Sequence, residues 1–415
     1  MIFTQEHQPH WKLSSRLSFR FIFLFLVVFI IMMPARYLLS PVLVWIGENI
    51  FETSGRLELE STGSGDDTMA WLSLFLQFAV AIVGFIIWSV LDRRRSSYND
   101  LFYWFRTILR VFVSFFMILY GFAKVFLVQF NEPSLLDLLQ PFGDMSPMGL
   151  AWAYMGYSPA FEVFTGLLEV IAGFLLISKR TQTLGALFVV GIMTHVAVMN
   201  LCFDIPVKIF SIHLALMGLV LLLSDIKRFQ YVFFRKHNIK LSTDYRPINP
   251  RFNKAIRVFK ICSLSFIILG AIALRGLIYL EQRKDQIRDE FYGIWEVETF
   301  IKNGDTIPPL TTIDDRWRYM IMETKGSTVV KKMNDSIDFY YFKVDSIKNS
   351  ISIYKEDNTE AANNFYIEQK DSLHLKIKGL LDQDSLKIHL KAIDLKDFTL
   401  INRGFHWVNE TPYNK

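Results

Sequence analysis

The sequence predicts a polytopic α-helical membrane protein, about seven transmembrane helices with a four-helix core, that carries a C-terminal all-β barrel. Three observations predict it. The 415-residue chain is 52% hydrophobic and has positive mean hydropathy, yet its last third is as polar as a water-soluble domain, so the average covers two unlike parts. Seven apolar runs in the first two-thirds are each long enough, at ~1.5 Å per residue, to cross a ~30 Å hydrocarbon core. From about residue 291 the pattern switches to period two, broken by closely spaced turn residues.

The apolar runs are 21–39, 69–91, 103–127, 159–178, 181–202, 206–224 and 261–280. They divide the chain into two N-terminal spans (1–100), a four-helix bundle (101–230), a basic connector with a seventh span (231–282) and a β domain (283–415). The first run follows Lys12, Arg16 and Arg20, is longer than a signal sequence's apolar core, and has no small-residue cleavage site after it, so it reads as a retained anchor. Between the first two runs, residues 61–67 (STGSGDD) read as a flexible turn, and neither of these spans displays recognisable chemistry.

Basic residues set the orientation. Lys12, Arg16, Arg20, Arg93–Arg95, Lys179, Arg180 and the connector from Lys227 to Lys260 all fall on one side, whereas loops 40–68 and 128–158 are acidic. This puts the N-terminus in the cytoplasm and the β domain across the membrane, an arrangement suited to a bacterial inner membrane with a periplasmic domain. The net charge of +5 is then a matter of topology, with lipid as the surroundings and no nucleic acid among the partners. Cys202 and Cys262 fall at opposite faces and there is no C-x-x-C, which argues against thiol–disulfide chemistry.

The spans carry polar stripes. Glu162, Gly166, Glu169 and Gly173 are spaced four, three and four apart, on one face of a helix. Glycines there admit a neighbouring helix and turn the carboxylates toward it. Arg106, Arg110, Ser114, Met117, Gly121 and Lys124 form a similar stripe in the third span, and Gly191, Thr194, His195, Val198 and Cys202 in the fifth. Counting depth from the turn near residue 204 places His195, His213 and Glu169 at one level, ~13–14 Å from the outer surface, with Lys124, Glu162, Asn200, Asp204 and Lys208 nearer the outer mouth. Ionisable groups in hydrocarbon face inward, pair, and mark functional sites by default. Glu169, His195 and His213 are therefore candidates for a proton relay or polar ligand pocket. The plainer reading makes Glu162–Lys124 and Asp204–Lys208 register-locking pairs and the histidines partners of neighbouring carbonyls. Imidazoles at one level also suit haem, but further ligands are not identifiable and no metal site is assigned.

These motifs carry a family resemblance. Arg110, Tyr120-Gly121-x-x-Lys124, Glu162-x-x-x-Gly166-x-x-Glu169-x-x-x-Gly173, Lys179-Arg180-Thr181-x-x-Leu184-Gly185-Ala186 and His195, in that order, resemble the DoxX family of small four-helix membrane proteins over about residues 103–224. The sequence departs from it where many members end in a glycine-rich stretch and an acidic residue; here Asn200, Asp204, Pro206, Lys208, Ser211 and His213 follow. The resemblance implies a four-helix bundle associated with membrane redox systems, with a quinone as the implied cofactor and a redox protein as the implied partner.

Loop 128–158, rich in proline and glycine with Trp152, Tyr154 and Tyr157, reads as an interfacial cap over the bundle's outer mouth. In the β domain, strands are expected at 294–300, 317–322, 338–344, 349–354, 364–368, 373–378, 385–391 and 398–403. Turns are expected at Asn303-Gly304, Lys325-Gly326, Asn334-Asp335, Gly379 and 382–384. Gly293-x-Trp295 in the first strand and Arg403 in the last resemble the lipocalin-like calycin pattern, which implies a guanidinium over an indole closing the barrel. Such a barrel either holds one small apolar ligand or is filled by side chains. No nucleophile–base–acid set is visible. Three functions stay open: a quinone-linked accessory subunit, a binding protein or carrier for a small lipophilic molecule, and a scaffold for an envelope partner.

Overall fold

A computed structural model describes residues 11–53, 63–226, 229–230, 291–324, 326–345, 350–354, 363–369 and 371–414, with scattered positions between 258 and 280. The described chain forms two compact units, one of residues 1–130 and 146–276, the other of 131–145 and 277–415.

The first unit is helical: α1 Leu13–Ala35, α2 Ser40–Ile50, α3 Thr68–Leu91, α4 Asn99–Val125, α5 Pro147–Gly156, α6 Pro159–Ile177, α7 Gln182–Cys202 and α8 Lys208–Ser224. Five of these, α1, α3, α4, α6 and α7, are long and apolar enough to cross a membrane, and α8 is a shorter apolar helix. They coincide with six of the expected runs to within a few residues, except that α1 begins earlier, at Leu13. The seventh run, with Cys262, lies largely outside the described residues. Local chemistry sets the helix starts. Asp67 accepts the Ala70 N–H at the head of α3, while Ser146 and Ser158 cap α5 and α6 with proline in the first turn. The stretch after residue 39, expected as an acidic loop, opens instead with α2, whose Leu43 and Ile46 pack on Met69 and Leu72 of α3.

The closest helix contact is α4 on α6. A Cβ at Gly166 would stand 2.6 Å from the Gly121 carbonyl oxygen, and one at Gly173 would meet Ile118 at 2.7 Å. The two backbones touch along this seam because the side chains are missing there. Ser114 donates to the Gly173 carbonyl at 2.7 Å. Arg110, 3% exposed, spans the Leu176 and Ile177 carbonyls at 2.6–2.9 Å. A buried cation is thereby satisfied by the negative end of α6.

The second unit is an antiparallel sheet of nine strands: β1 Gly293–Lys302, β2 Asp305–Thr306, β3 Trp317–Met322, β4 Ser327–Lys332, β5 Ile337–Asp345, β6 Ser350–Tyr354, β7 Asn363–Gln369, β8 His374–Leu381 and β9 Asp384–Ala392. The order is β2-β1-β3-β4-β5-β6-β7-β8-β9, and β1 also pairs with β9, which closes an up-and-down barrel of eight strands with β2 as a hairpin on β1. Asn303-Gly304 and Asp382-Gln383 have positive φ at both positions, as two-residue hairpin turns of the primed types require. Phe300, Trp317, Met320, Phe342, Ile351, Phe365, Leu375 and Ile388 belong to one buried cluster, so side chains occupy the barrel interior.

Several expectations for this unit need correction. Residues 398–403 are not a strand: Asp394 caps a 3₁₀ turn and a short helix Thr399–Asn402 follows, so the eighth barrel strand is β4, which was not among the expected strands. Gly379 is no turn. It sits inside β8 opposite Phe365, where the Asn364 carbonyl crowds the space a side chain would need. The Trp295–Arg403 closure does not form. Trp295 donates to the Phe291 carbonyl at 2.8 Å, whereas Arg403 engages His406, Asn409 and the Tyr413 ring. The buried arginine of the barrel is Arg316, which donates to the Val297, Ile307 and Trp317 carbonyls at 3.0–3.3 Å. Gly293 has φ of +146° at the start of β1, a conformation open to glycine.

Loop 128–158 also differs from expectation. Its middle, 131–145, belongs to the barrel unit. Leu135 is buried with Ile294 and Ile321, flanked by Leu136, Leu138 and Leu139. Its N–H donates to Glu323 at 3.1 Å, and Lys331 donates to the Leu139 carbonyl at 3.2 Å.

Candidate functional site

Two polar arrangements lie within the helical unit. The first is on the α4–α6 seam. Lys124 binds both oxygens of Glu169, at 2.8 and 2.9 Å, with Lys124 7% and Glu169 4% exposed. Glu162, 1% exposed, does not take Lys124 as its direct partner; it accepts the Phe130 N–H at 3.1 Å. The expected Glu162–Lys124 pair is thus a Lys124–Glu169 pair, because the Gly121–Gly166 contact sets a register in which the ammonium meets the carboxylate about two turns further along α6. The hydrogen bond to Phe130 N–H lets Glu162 hold the chain as it leaves α4.

The second arrangement joins α1, α3 and α8. His213, 3% exposed, stacks on Phe29 with centroids 3.9 Å apart and planes 9° apart, and lies 5.4 Å from Phe25. Its Nδ1 is 2.7 Å from the Ile209 carbonyl, which only accepts, so Nδ1 carries a proton. Gln77 Nε2 stands 3.0 Å from both His213 Nε2 and the Phe25 carbonyl. That carbonyl likewise only accepts, which fixes the amide nitrogen there. His213 Nε2 therefore accepts the second amide hydrogen, and the ring is the neutral Nδ1–H tautomer.

Gln77 of this pair also lines a cleft of about 260 Å³, together with Phe29, Met32 and Met33 of α1, Ala70, Ser73 and Leu74 of α3, Tyr120 of α4 and Phe210 of α8, with Arg36, Gly65 and Val207 at one end. Mostly apolar walls with a few placed polar groups are what small-molecule sites share. The segment expected to be a flexible turn builds this end. Asp66 accepts the Lys208 and Ile209 N–H groups at 2.6 and 3.0 Å, capping α8. Gly65 donates to the Pro206 carbonyl at 2.8 Å, and Asp67 pairs with Arg36.

His195 does not join either group. It is exposed on α7, as are Gly191, Thr194, Val198 and Cys202, while Ala186, Val189, Met193, Ala197 and Asn200 form the buried face. The common pocket of Glu169, His195 and His213 is therefore not formed. Asn200 braces the α7–α8 hairpin through the Val207 carbonyl and Ser211 hydroxyl, at 3.2 and 3.0 Å, and Lys208 pairs with Asp204 at 2.9 Å. Gln77 was missed. Its signal was the one amide side chain in the 69–91 run, quieter than a charge but still costly to bury without a partner.

No family model matches the chain, and no solved structure matches it. A relative is the uncharacterized protein YwoB of Bacillus subtilis (strain 168), 36% identical over 124 residues, which are 30% of this chain and 79% of YwoB. At that identity, and with most of YwoB covered, the chain belongs to the family of YwoB.

Proposed function

We propose that this chain is a DoxX-like protein of the bacterial inner membrane, N-terminus in the cytoplasm and barrel in the periplasm, whose helical unit binds a small lipophilic molecule as an accessory component of a quinone-linked redox system. The observation that carries the binding reading is the cleft between α1, α3, α4 and α8, with apolar walls and Gln77 held rigidly against His213. Support for the DoxX-like part is the use of the motif residues: Arg110, Gly121, Lys124, Gly166, Glu169 and Gly173 all lie on the α4–α6 seam. A quinone is the lipophile to which that resemblance points.

The test is saturable binding of a short-chain quinone, held in its reduced form, to the full-length protein in lipid nanodiscs, followed by quenching of protein fluorescence. Wild type is expected to saturate, and Ala70→Phe, which fills the cleft, to leave only the non-saturable partition seen in empty nanodiscs. Equal saturable binding by both would overturn the cleft assignment.

The scaffold reading has its own observation, the exposed Phe405, Trp407 and Val408 beyond the barrel, an apolar group of the kind that marks interaction surfaces.

A further inference from the structure

We infer that the molecule taken into the cleft carries a hydrogen-bond donor at its buried end, making it a lipophilic phenol, alcohol or N–H compound in place of an ether, ester or ketone. This rests on the reading of the cleft as a ligand site and adds its chemical class. Gln77 is 2% exposed and lines the cleft. Both its amide hydrogens are committed, to the Phe25 carbonyl and to His213 Nε2. Its Oε1, with no partner among the described residues, is the atom left for an occupant. Ser73, one turn earlier on the same face of α3, also lines the cleft. Its hydroxyl proton goes to the Met69 carbonyl at 2.7 Å, so it too offers lone pairs.

At the other end, the Arg36 guanidinium is held by Asp67. Around Gln77 and Ser73 the wall has used its donors internally and kept its acceptors, whereas Arg36, with one N–H on Asp67, remains a donor group at the other end and the Tyr120 ring lies between. Flipping the Gln77 amide would not reverse this. It would set Oε1 against the Phe25 carbonyl and against a histidine nitrogen whose proton sits on the far side of the ring, leaving two acceptor–acceptor contacts in a dry interior. His213 is therefore a positioning residue. Its Nδ1–H bond to Ile209 and its stack on Phe29 fix the tautomer, and the tautomer fixes which end of the amide faces the ligand. An acceptor-only ligand would leave Oε1 and Oγ desolvated without a proton, a mismatch that lowers affinity by roughly ten-fold or more. Of the two forms of a quinone, the reduced one carries hydroxyl donors and fits.

Two probes of equal shape separate donor from non-donor: 2-naphthol and 2-methylnaphthalene, titrated into full-length protein in phosphatidylcholine nanodiscs and corrected for partition into empty discs. Wild type is expected to prefer 2-naphthol about ten-fold or more. Gln77→Leu is expected to bring the two probes together while both still saturate, and the milder Ser73→Ala to reduce the preference in part. Ala70→Phe should abolish saturable binding of both. A wild-type protein that binds the two probes equally, or a Gln77→Leu protein that keeps the preference, overturns the donor rule and leaves the cleft standing. Absence of saturable binding of either probe in wild type overturns the cleft reading itself.

Discussion

Lys124 carries an ammonium into the seam between two helices where almost no solvent reaches, and Glu169 meets it with both oxygens. Desolvating two charges costs several kcal/mol each, and their attraction roughly offsets this, so the pair gives specificity of register more than net stability. Removing one partner is different, because the other charge stays buried and alone. Lys124→Met is expected to destabilise the full-length protein by about 3–5 kcal/mol, and the double variant Lys124→Met with Glu169→Gln by clearly less. Thermal unfolding of the variants in detergent checks this, and a double variant as unstable as the single would show that the ion pair is not the reason for the loss. The charges themselves were legible in the sequence: Arg110, Lys124, Glu162 and Glu169 stand out in apolar runs, and all four are buried. Their pairing was not, since Glu162 and Glu169 both fall on the face toward α4 and spacing along one helix cannot say how far its neighbour slides. His195 shows another limit. α7 has small or polar residues on both faces, and the face turned inward is the one where Ala186, Val189 and Ala197 pack flat.

At the scale of elements, glycine has two different jobs in the helical unit. On α6, Gly166 has the Gly121 carbonyl where a methyl group would go. On α7, Gly191 faces outward, and a methyl group added there would have nothing within 4 Å. Gly166→Ala is expected to cost about 1–3 kcal/mol as the helices are forced apart, whereas Gly191→Ala should be neutral or stabilising by up to about 1 kcal/mol through helix propensity. Comparing the two melting temperatures tests the seam directly; equal effects would mean that α4 and α6 do not approach this closely. In the barrel, alternation and turn chemistry predicted seven strands to within a few residues. The eighth was misplaced because Phe398 to Ile401 is an apolar run that capping by Asp394 and the turn after it bend into helix.

The segment 131–145 gives the barrel unit a pH response. Burial away from water, with Asp137 adding repulsion, holds the Glu323 carboxyl above the usual carboxylate range, and the Leu135 N–H opposes this. A carboxyl whose folded pKa is raised lends stability at low pH that is lost as pH climbs from the ordinary carboxylate value through the raised one. Amide protection of residues 131–139, corrected for intrinsic exchange, is therefore expected to fall as pH rises across that window. Glu323→Gln keeps the acceptor for Leu135 and removes the titration, so its protection should stay level. A variant with the same slope as wild type would assign the pH dependence to another group.

At the scale of the whole molecule, the division into an apolar helical part and a β part was legible from hydropathy and period alone, because bilayer thickness and strand pleat impose unmistakable repeats. Membership of residues 131–145 in the barrel unit was not, since nothing in a short proline-rich loop names the distant surface that its leucines cover. That membership has a consequence for the proposed topology. Residues 131–145 lie between α4 and α6 in the chain yet fold with the barrel, so the proposed topology has to put the α4–α6 connection and the barrel on one side of the membrane. On the proposed topology α6, α7 and α8 would bring the chain to the opposite side, and the apolar run 261–280 of the sequence would return it. On the proposed orientation, the basic residues at 93–95 and 179–180 mark that opposite side as cytoplasmic. With Cys202 and Cys262 replaced by serine, cysteines at Asp144 and Asn409 are expected to react with a membrane-impermeant maleimide added outside intact cells, and cysteines at Arg94 and Arg180 only after permeabilisation. Labelling of Asp144→Cys without Asn409→Cys would separate the loop from the barrel and remove the seventh crossing; labelling of Arg94→Cys from outside would invert the whole arrangement.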